Sequence, residues 1–341
     1  MKCMVIEEFG APLVIKERSV PDPDKGEAIV KVGACGVCRT DLKIWQGNSP
    51  VPTKLPLVLG HEIAGEIVEV ADGLDTSRIG ERVIVNPYLS CGNCKFCKKG
   101  QQNLCSHLRG VIGVSRDGGY SEYVKVPLDC LFPISRDISF EQAAIIPDAI
   151  ATSYHALVKK AQVERSQTIV VLGVGGLGLH AVQIGVALGA RVIAMDIKPE
   201  ALKLAREMGA EKTVNITEAA STEEIMEIPG RGGADAVIDF TGNTEMEDLA
   251  IRMLGVAGRF VAVGYTPNKT FQVNSLLLVS KELEMYGSRA CNPDDVRQAI
   301  EWVSIGKLKP FISEIHPLIR ANLVLERLEK GDTLGRSVLI P

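Results

Sequence analysis

The sequence has no apolar run long enough to cross a bilayer, and its opening, "MKCMVIEEFGAP", puts glutamates where a signal peptide needs an unbroken apolar stretch. A membrane-bound or exported product is thereby excluded from the reading, and a soluble, cytoplasmic one is expected. It also has no long basic run, and its net charge of -4 leaves a nucleic-acid partner without the concentrated positive surface it would need. There is no internal repeat and no low-complexity segment. Small molecules are the expected partners.

What is there is a chain of 341 residues, 46% hydrophobic and 23% charged. Single cores stop growing near roughly 250 to 300 residues, so two domains are expected. Four of its nine cysteines fall within "CGNCKFCKKGQQNLC". In a reducing compartment, thiols spaced this closely are metal ligands rather than disulfides. Cys91, Cys94, Cys97 and Cys105 read C-x2-C-x2-C-x7-C, a spacing that lets one folded-back loop aim four sulfurs at a single zinc. The set is closed, with no position left for water, so this zinc is expected to staple a lobe too polar to pack by itself.

A second constellation lies upstream. "ACGVCRTDLKIWQG" supplies Cys38, and "LPLVLGHEIAGEIVEV" supplies His61 and Glu62 at the head of an alternating stretch that reads as a strand. A thiolate, an imidazole and a carboxylate are what a catalytic zinc with one open position requires. Asp41 is placed either to orient the histidine from behind or to cap the short helix suggested by "RTDLKIW".

The third signal runs from Thr168 to Ala210. An apolar run, Ile169 to Leu172, enters Gly173-Val174-Gly175-Gly176-Leu177-Gly178, followed by a helical pattern to Leu188, a glycine stop and the second strand "RVIAMD". In such a turn Gly173 permits the tight bend, Gly175 lets the backbone approach a pyrophosphate, and Gly178 lets the helix pack close to the sheet. The helix N-terminus then offers unpaired N–H groups to phosphate. Asp196 ends the second strand, 23 positions after Gly173, near the offset at which a carboxylate accepts the ribose hydroxyls and repels a 2′-phosphate. NAD is expected over NADP, with Lys198 close enough to soften the repulsion.

Further apolar runs, "EKTVNI", "DAVIDFTG" and "GRFVAVGY", alternate with helical stretches such as "TEMEDLAIRMLGVAG", and "ELEMYGS" adds an edge. This is the pattern of an α/β doubly wound parallel sheet. From Met1 to about Pro133 short strands are punctuated by proline and glycine, which predicts an irregular β-rich domain, and the join lies in the helical stretch "SFEQAAIIPDAIATSYHALVKKA".

Taken with "GKLKP" and the terminal "GRSVLIP", these motifs stand in the order found in the zinc-containing alcohol dehydrogenases of the medium-chain dehydrogenase/reductase superfamily, which the chain resembles essentially end to end. The resemblance implies a GroES-like catalytic domain over residues 1–150 with 291–341, its structural zinc lobe at about 86–110, and a Rossmann NAD-binding domain over 151–290. It implies two zinc ions per chain, one catalytic and one structural, with NAD as cofactor and a homodimer or homotetramer as the assembly. The implied reaction passes a hydride between a primary or secondary alcohol and NAD, giving the aldehyde or ketone. A polyol, sugar or other hydroxylated metabolite is the alternative substrate class, and a cofactor-binding or structural protein without catalysis is the alternative outside the enzymes.

By the same resemblance Cys38 and His61 are the first two ligands of the catalytic zinc, and Glu62 is the carboxylate beside it that can enter the coordination shell. Thr40 takes the substrate proton, Arg39 and Arg336 approach the cofactor pyrophosphate, Gly176 and Leu177 belong to the phosphate turn, and Trp45 lines the alcohol pocket. Two positions depart from the commonest pattern. Lys43 stands where many members carry a proton-relaying histidine, and an ordinary lysine, with a pKa of about 10.4, stays protonated. Asp148, in "IIPDAIATSYHAL", stands where a third ligand is often cysteine; part of the family uses aspartate there, and Cys38, His61 and Asp148 are the expected set.

Overall fold

The computed structural model describes residues 1–49, 51–73, 75–218, 222–230 and 232–341. The chain divides into two compact units, Met1–Ala151 with Cys291–Pro341, and Thr152–Ala290.

The first unit is built on a seven-stranded sheet in the order Ile312–Pro317, Arg336–Ile340, Glu27–Val37, Glu62–Val70, Arg82–Val85 and Leu131–Pro133, with Tyr123–Pro127 also paired to Glu27–Val37. Glu27–Val37 and Glu62–Val70 run antiparallel, and their register shifts twice, between Ile29 and Val30 and between Val32 and Ala34. Such bulges bend a strand and sharpen its twist. Val30, Ile63, Val85, Tyr120 and Leu339 pack into one core with the small sheet formed by Lys2–Ile6, Val14–Glu17 and Leu57–Val58. The C-terminal strand Arg336–Ile340 pairs with Glu27–Val37, so the end of the chain completes the sheet that its beginning started.

The helix Arg39–Trp45 follows directly on the long strand. Cys38 keeps extended backbone angles at its N-cap, and the side chain of Asp41, three residues on, accepts the Cys38 N–H at 2.9 Å, which satisfies a donor that the first turn leaves open. Downstream, Ser139 caps the helix Phe140–Ala144. This helix gives way to a π turn, Ile146–Ile150, at Pro147, which has no N–H with which to continue the α ladder. Asp148 sits on that turn.

The second unit is a six-stranded parallel sheet in the order Lys212–Asn215, Arg191–Asp196, Thr168–Leu172, Ala234–Asp239, Leu254–Ala262 and Glu284–Gly287. Chain order reverses beside the first strand, Thr168–Leu172, the switch point at which open α/β sheets bind ligands. Val170, Leu172, Ile193, Val237 and Phe260 form the core on one face. One expectation needs correction. The helical reading of "TEMEDLAIRMLGVAG" runs too far: the helix is Thr244–Arg252, and Leu254 already begins a strand. Gly255 leaves no room for a side chain there, because a Cβ would lie 2.1 Å from the carbonyl oxygen of Gly232. No helix among the described residues is long and apolar enough to cross a membrane.

Candidate metal centres and nucleotide turn

Both clusters read from the sequence come together within the first unit. In the lobe, Cys91, Cys94, Cys97 and Cys105 bring their sulfurs within 4.8 Å of one another. The separations are 3.5 Å for Cys94 to Cys97, 3.9 Å for Cys91 to Cys97 and 4.0 Å for Cys94 to Cys105. A zinc tetrahedron with Zn–S bonds of about 2.3 Å has edges of about 3.8 Å, so the four sulfurs stand at the corners such an ion needs. Backbone N–H groups point at them: Cys91 donates to the Cys105 sulfur at 3.3 Å, Cys94 to Cys91 at 3.4 Å, and Cys97 to Cys94 at 3.5 Å. Donors aimed at sulfur favour the thiolate, and N–H groups from Cys97 and Ser106 lower the Cys94 thiol to about 5. Burial does the opposite at Cys97, pushing it up to about 11. The donor set fits zinc.

The second cluster is Cys38, His61, Glu62 and Asp148, whose ligand atoms also lie within 4.8 Å of one another. Asp148 Oδ2 is 3.4 Å from Cys38 Sγ and 3.8 Å from His61 Nε2. For a tetrahedral ion with bonds of about 2.0 to 2.3 Å, edges of about 3.3 to 3.8 Å are expected, so this set fits zinc as well. The other imidazole nitrogen, Nδ1, faces Asp41 Oδ1 at 3.1 Å, which fixes the tautomer with its proton on Nδ1 and its lone pair on Nε2. Asp41 therefore serves both sequence readings: it caps the helix and holds the histidine.

Charge explains the rest of the cluster. Arg336 is 4% exposed, and its Nη2 lies 2.7 Å from Glu62 Oε1, 2.8 Å from Asp148 Oδ2 and 3.5 Å from Cys38 Sγ. Burial works to raise Asp148, but the hydrogen bond from His61 and the Arg336 guanidinium hold its carboxyl far below the usual carboxylate range. At His61 burial disfavours the charged ring, yet Asp41 and Asp148 together lift it well above the ordinary imidazole value. An ion on Nε2 must displace that proton, so its binding weakens in acid.

Among the remaining expected site residues, Thr40 Oγ1 lies 3.7 Å from Cys38 Sγ, and Lys43 is half-buried on the same helix, its pKa lowered chiefly by burial. Arg39 is exposed. Trp45 packs against the core and donates its indole N–H to the Ala11 carbonyl at 2.6 Å, apart from the four-donor set. Sequence reasoning missed Tyr120, whose hydroxyl donates to Asp41 Oδ2 at 3.1 Å. The only local sign of it is the glycine pair ahead of it in "DGGYSEY".

In the second unit the glycine turn joins Thr168–Leu172 to the helix Gly178–Leu188. Gly173 has φ +80°, and a Cβ on Gly178 would lie 1.9 Å from the Gly173 carbonyl oxygen, whereas a Cβ on Gly175 would meet no atom within 4 Å. The open space beside Gly175 is what a cradle for a bound phosphate leaves. Asp196 ties the turn in place: Oδ2 accepts the Val174 N–H at 2.8 Å, and Oδ1 accepts those of Ile197 and Lys198 at 2.8 and 3.0 Å.

Comparison with known proteins agrees with this geometry. Residues 24–136 match the alcohol dehydrogenase GroES-like domain, and residues 176–304 match the zinc-binding dehydrogenase family. An NAD-dependent alcohol dehydrogenase of Sulfolobus acidocaldarius is 36% identical, covering 99% of both chains. The chain belongs to the zinc-containing alcohol dehydrogenases of the medium-chain dehydrogenase/reductase superfamily. The solved alcohol dehydrogenase of Aeropyrum pernix superposes on this family member with a TM-score of 0.92 at 34% identity, covering all of both chains. A D-arabitol-phosphate dehydrogenase of Enterococcus avium is 30% identical over 93% of this chain and 90% of its own. The expected GroES-like and Rossmann folds are those of this family.

The glycine positions give a prediction that separates fold from binding. Gly175→Ala places its methyl in open space, so the thermal midpoint is expected to stay at the wild-type value while NAD affinity falls. Gly178→Ala drives a methyl into the Gly173 carbonyl, and relieving the overlap costs roughly 1–3 kcal/mol or more. Thermal unfolding with and without NAD distinguishes them; a stable Gly178→Ala protein, or Gly175→Ala with unchanged NAD binding, contradicts this assignment.

Proposed function

We propose that this protein oxidises a primary or secondary alcohol to the aldehyde or ketone with NAD, and runs the reverse reduction, on a zinc centre held by Cys38, His61 and Asp148. The observation that carries the proposal is the convergence of three different donors, oriented from behind by Asp41, with the charge of the neighbouring Glu62 matched by Arg336. Thiolate and carboxylate from Cys38 and Asp148 sum to -2, the charge that balances a divalent cation, while Glu62 and Arg336 cancel. The same sum holds with the two carboxylates exchanged, so Asp148 is assigned to the ion on distance: its Oδ2 stands 3.4 Å from Cys38 Sγ and 3.8 Å from His61 Nε2, the edges a tetrahedral ion needs, and Glu62 is left to the guanidinium.

The chemistry supplied by a zinc ion here is Lewis-acid polarisation of an alcohol or carbonyl oxygen. NAD, held on the glycine turn, supplies the hydride acceptor. Thr40, whose Oγ1 stands beside Cys38, is positioned to take the hydroxyl proton of the alcohol. Lys43, three residues further along the helix and therefore on the same face, is the next polar group along that face. Trp45 is assigned to the pocket wall, and Arg39 to the cofactor pyrophosphate. Arg336 can share the latter role only by leaving its two carboxylates. Initial rates over primary alcohols, secondary alcohols, polyols and aldehydes with both cofactors test the reading. No NADH formed with any of them, in protein that holds two zinc ions and binds NAD, would sink it.

NAD is preferred over NADP because Asp196 accepts the ribose hydroxyls and repels a 2′-phosphate. The same carboxylate anchors the turn through Val174 for either cofactor, so selectivity rather than affinity alone is the informative measure. Asp196→Ser is expected to lower kcat/KM with NAD by roughly 10- to 100-fold, the value of one or two charge-assisted hydrogen bonds. The ratio of kcat/KM values moves toward NADP. An unchanged ratio means that another residue reads the ribose.

We further propose a cytoplasmic homodimer or homotetramer. Thiolate ligand sets accord with a reducing compartment. Leu276 and Val279, each 74% exposed on the helix Ser275–Ser280 just ahead of the edge strand Glu284–Gly287, give the second unit an apolar border suited to self-association. Sedimentation of the purified protein decides the stoichiometry.

A further inference from the structure

Tyr120 is fully buried, yet it carries a hydroxyl, and the fold makes room for it at a specific cost in sequence freedom. Its ring lies against Gly60, the residue before His61. A Cβ on Gly60 would stand 2.4 Å from the Tyr120 ring, and Gly60 has φ +94°, so glycine is required there twice over. The loop carrying Tyr120 is laced to the stretch leading into His61: Gly118 N–H donates to the Val58 carbonyl at 2.9 Å, Tyr120 N–H to Leu59 at 2.9 Å, and Gly119 N–H to Gly60 at 2.8 Å. The loop also fixes Val58, whose N–H donates to Asp117 Oδ1 at 2.9 Å. The phenol is thus rigidly seated, with its oxygen 3.1 Å from Asp41 Oδ2.

Asp41 is itself fully buried and has three donors around it: the Cys38 N–H and Tyr120 O–H on Oδ2, and His61 Nδ1 on Oδ1. Two of these donors belong to ligand residues, and the third belongs to neither. We propose that Tyr120 is a positioning residue for the Cys38 metal centre, its hydroxyl locking the Asp41 carboxylate in the orientation that holds His61 by Nδ1 and leaves Nε2 to the ion. The inference rests on the reading of Cys38, His61 and Asp148 as a zinc ligand set. It adds a link outside the carboxylate, reached from a loop about 60 residues beyond His61 in sequence. Partners that orient a ligating histidine typically change metal affinity by about 10- to 100-fold when lost. Tyr120, one bond further out, is expected to act at the lower end of that range.

The test is Tyr120→Phe, which keeps the ring and removes one oxygen. Zinc affinity is measured by competition with a chromophoric chelator, with the four-cysteine lobe as internal reference, and Co2+ is substituted at the Cys38 centre to report geometry by its visible absorption. The expected result is about a tenfold rise in the dissociation constant of the Cys38 ion alone and a changed Co2+ spectrum. Made in an Asp41→Ala background, the same substitution should have no further effect. Unchanged affinity and spectrum overturn the proposal, as does an equal loss in both backgrounds, which assigns Tyr120 to packing. Wild-type protein that binds zinc only in the lobe would instead refute the ligand-set reading, and the proposal with it.

Discussion

Asp148→Asn is expected to empty the Cys38 centre and abolish most alcohol oxidation. The change keeps the side chain's size and removes its charge, so the donor set falls from -2 to -1 against a divalent ion, and the remaining amide oxygen is a weak ligand. Arg336 loses one of its two carboxylates and is left with Glu62 alone, 2.7 Å away. Because a ligand itself is removed, the loss of metal affinity should exceed the roughly 10- to 100-fold that outer partners command. Asp148→Cys restores the charge with a softer donor, which zinc accepts, and is expected to retain the ion. Glu62→Gln should be milder, since it breaks the ion pair with Arg336 rather than a coordination bond, although it leaves a buried guanidinium with a single carboxylate. Zinc content by atomic absorption and kcat across the three variants decide between the carboxylates. Full occupancy and near-normal turnover in Asp148→Asn, with metal lost in Glu62→Gln, would reverse their roles.

Local chemistry was legible and long-range geometry was not. The four lobe cysteines and the glycine turn could be read because all their parts lie within a few turns of chain, where spacing fixes what can meet. The helix "RTDLKIW" could be read too, and Arg39–Trp45 is its observed extent. The boundary at Arg252 could not, because "LGVAG" suits either element until Gly255 meets the backbone of Gly232. Neither could the third partner of Asp41 be read, since Tyr120 lies 79 residues away and reaches it only through the loop packed on Gly60. Arg336 is the sharper case. The resemblance assigns it to the cofactor pyrophosphate, and nothing in the sequence places it beside Glu62 and Asp148, where the pairing of its strand with Glu27–Val37 carries it.

Removing one lobe cysteine is expected to unfold the lobe while sparing the nucleotide unit. Cys97 is the most buried of the four, at 8% exposure, and its sulfur lies 3.5 Å from that of Cys94 and 3.9 Å from that of Cys91. Around it Lys95, Lys98, Lys99 and Gln101 are polar, and Phe96 and Leu104, each only half-buried, are too little apolar surface to replace the ion as a core. Zinc bound by isolated finger peptides contributes roughly 10–16 kcal/mol of apparent free energy near neutral pH, more than a few surface turns can supply by their own contacts. With serine at this position three thiolates remain, the tetrahedron loses a corner, and the N–H groups aimed at sulfur lose the charge that holds them. Zinc should fall from two ions per chain to one in Cys97→Ser, and trypsin should cut at Lys95, Lys98 or Lys99 under conditions that leave the wild type whole. NAD binding by residues 152–290 should persist, because the glycine turn is held within its own unit by Asp196, which accepts the N–H groups of Val174, Ile197 and Lys198. A Cys97→Ser protein that keeps two zinc ions and wild-type resistance to trypsin would show that the lobe is held by its own contacts and that the four sulfurs are not its staple.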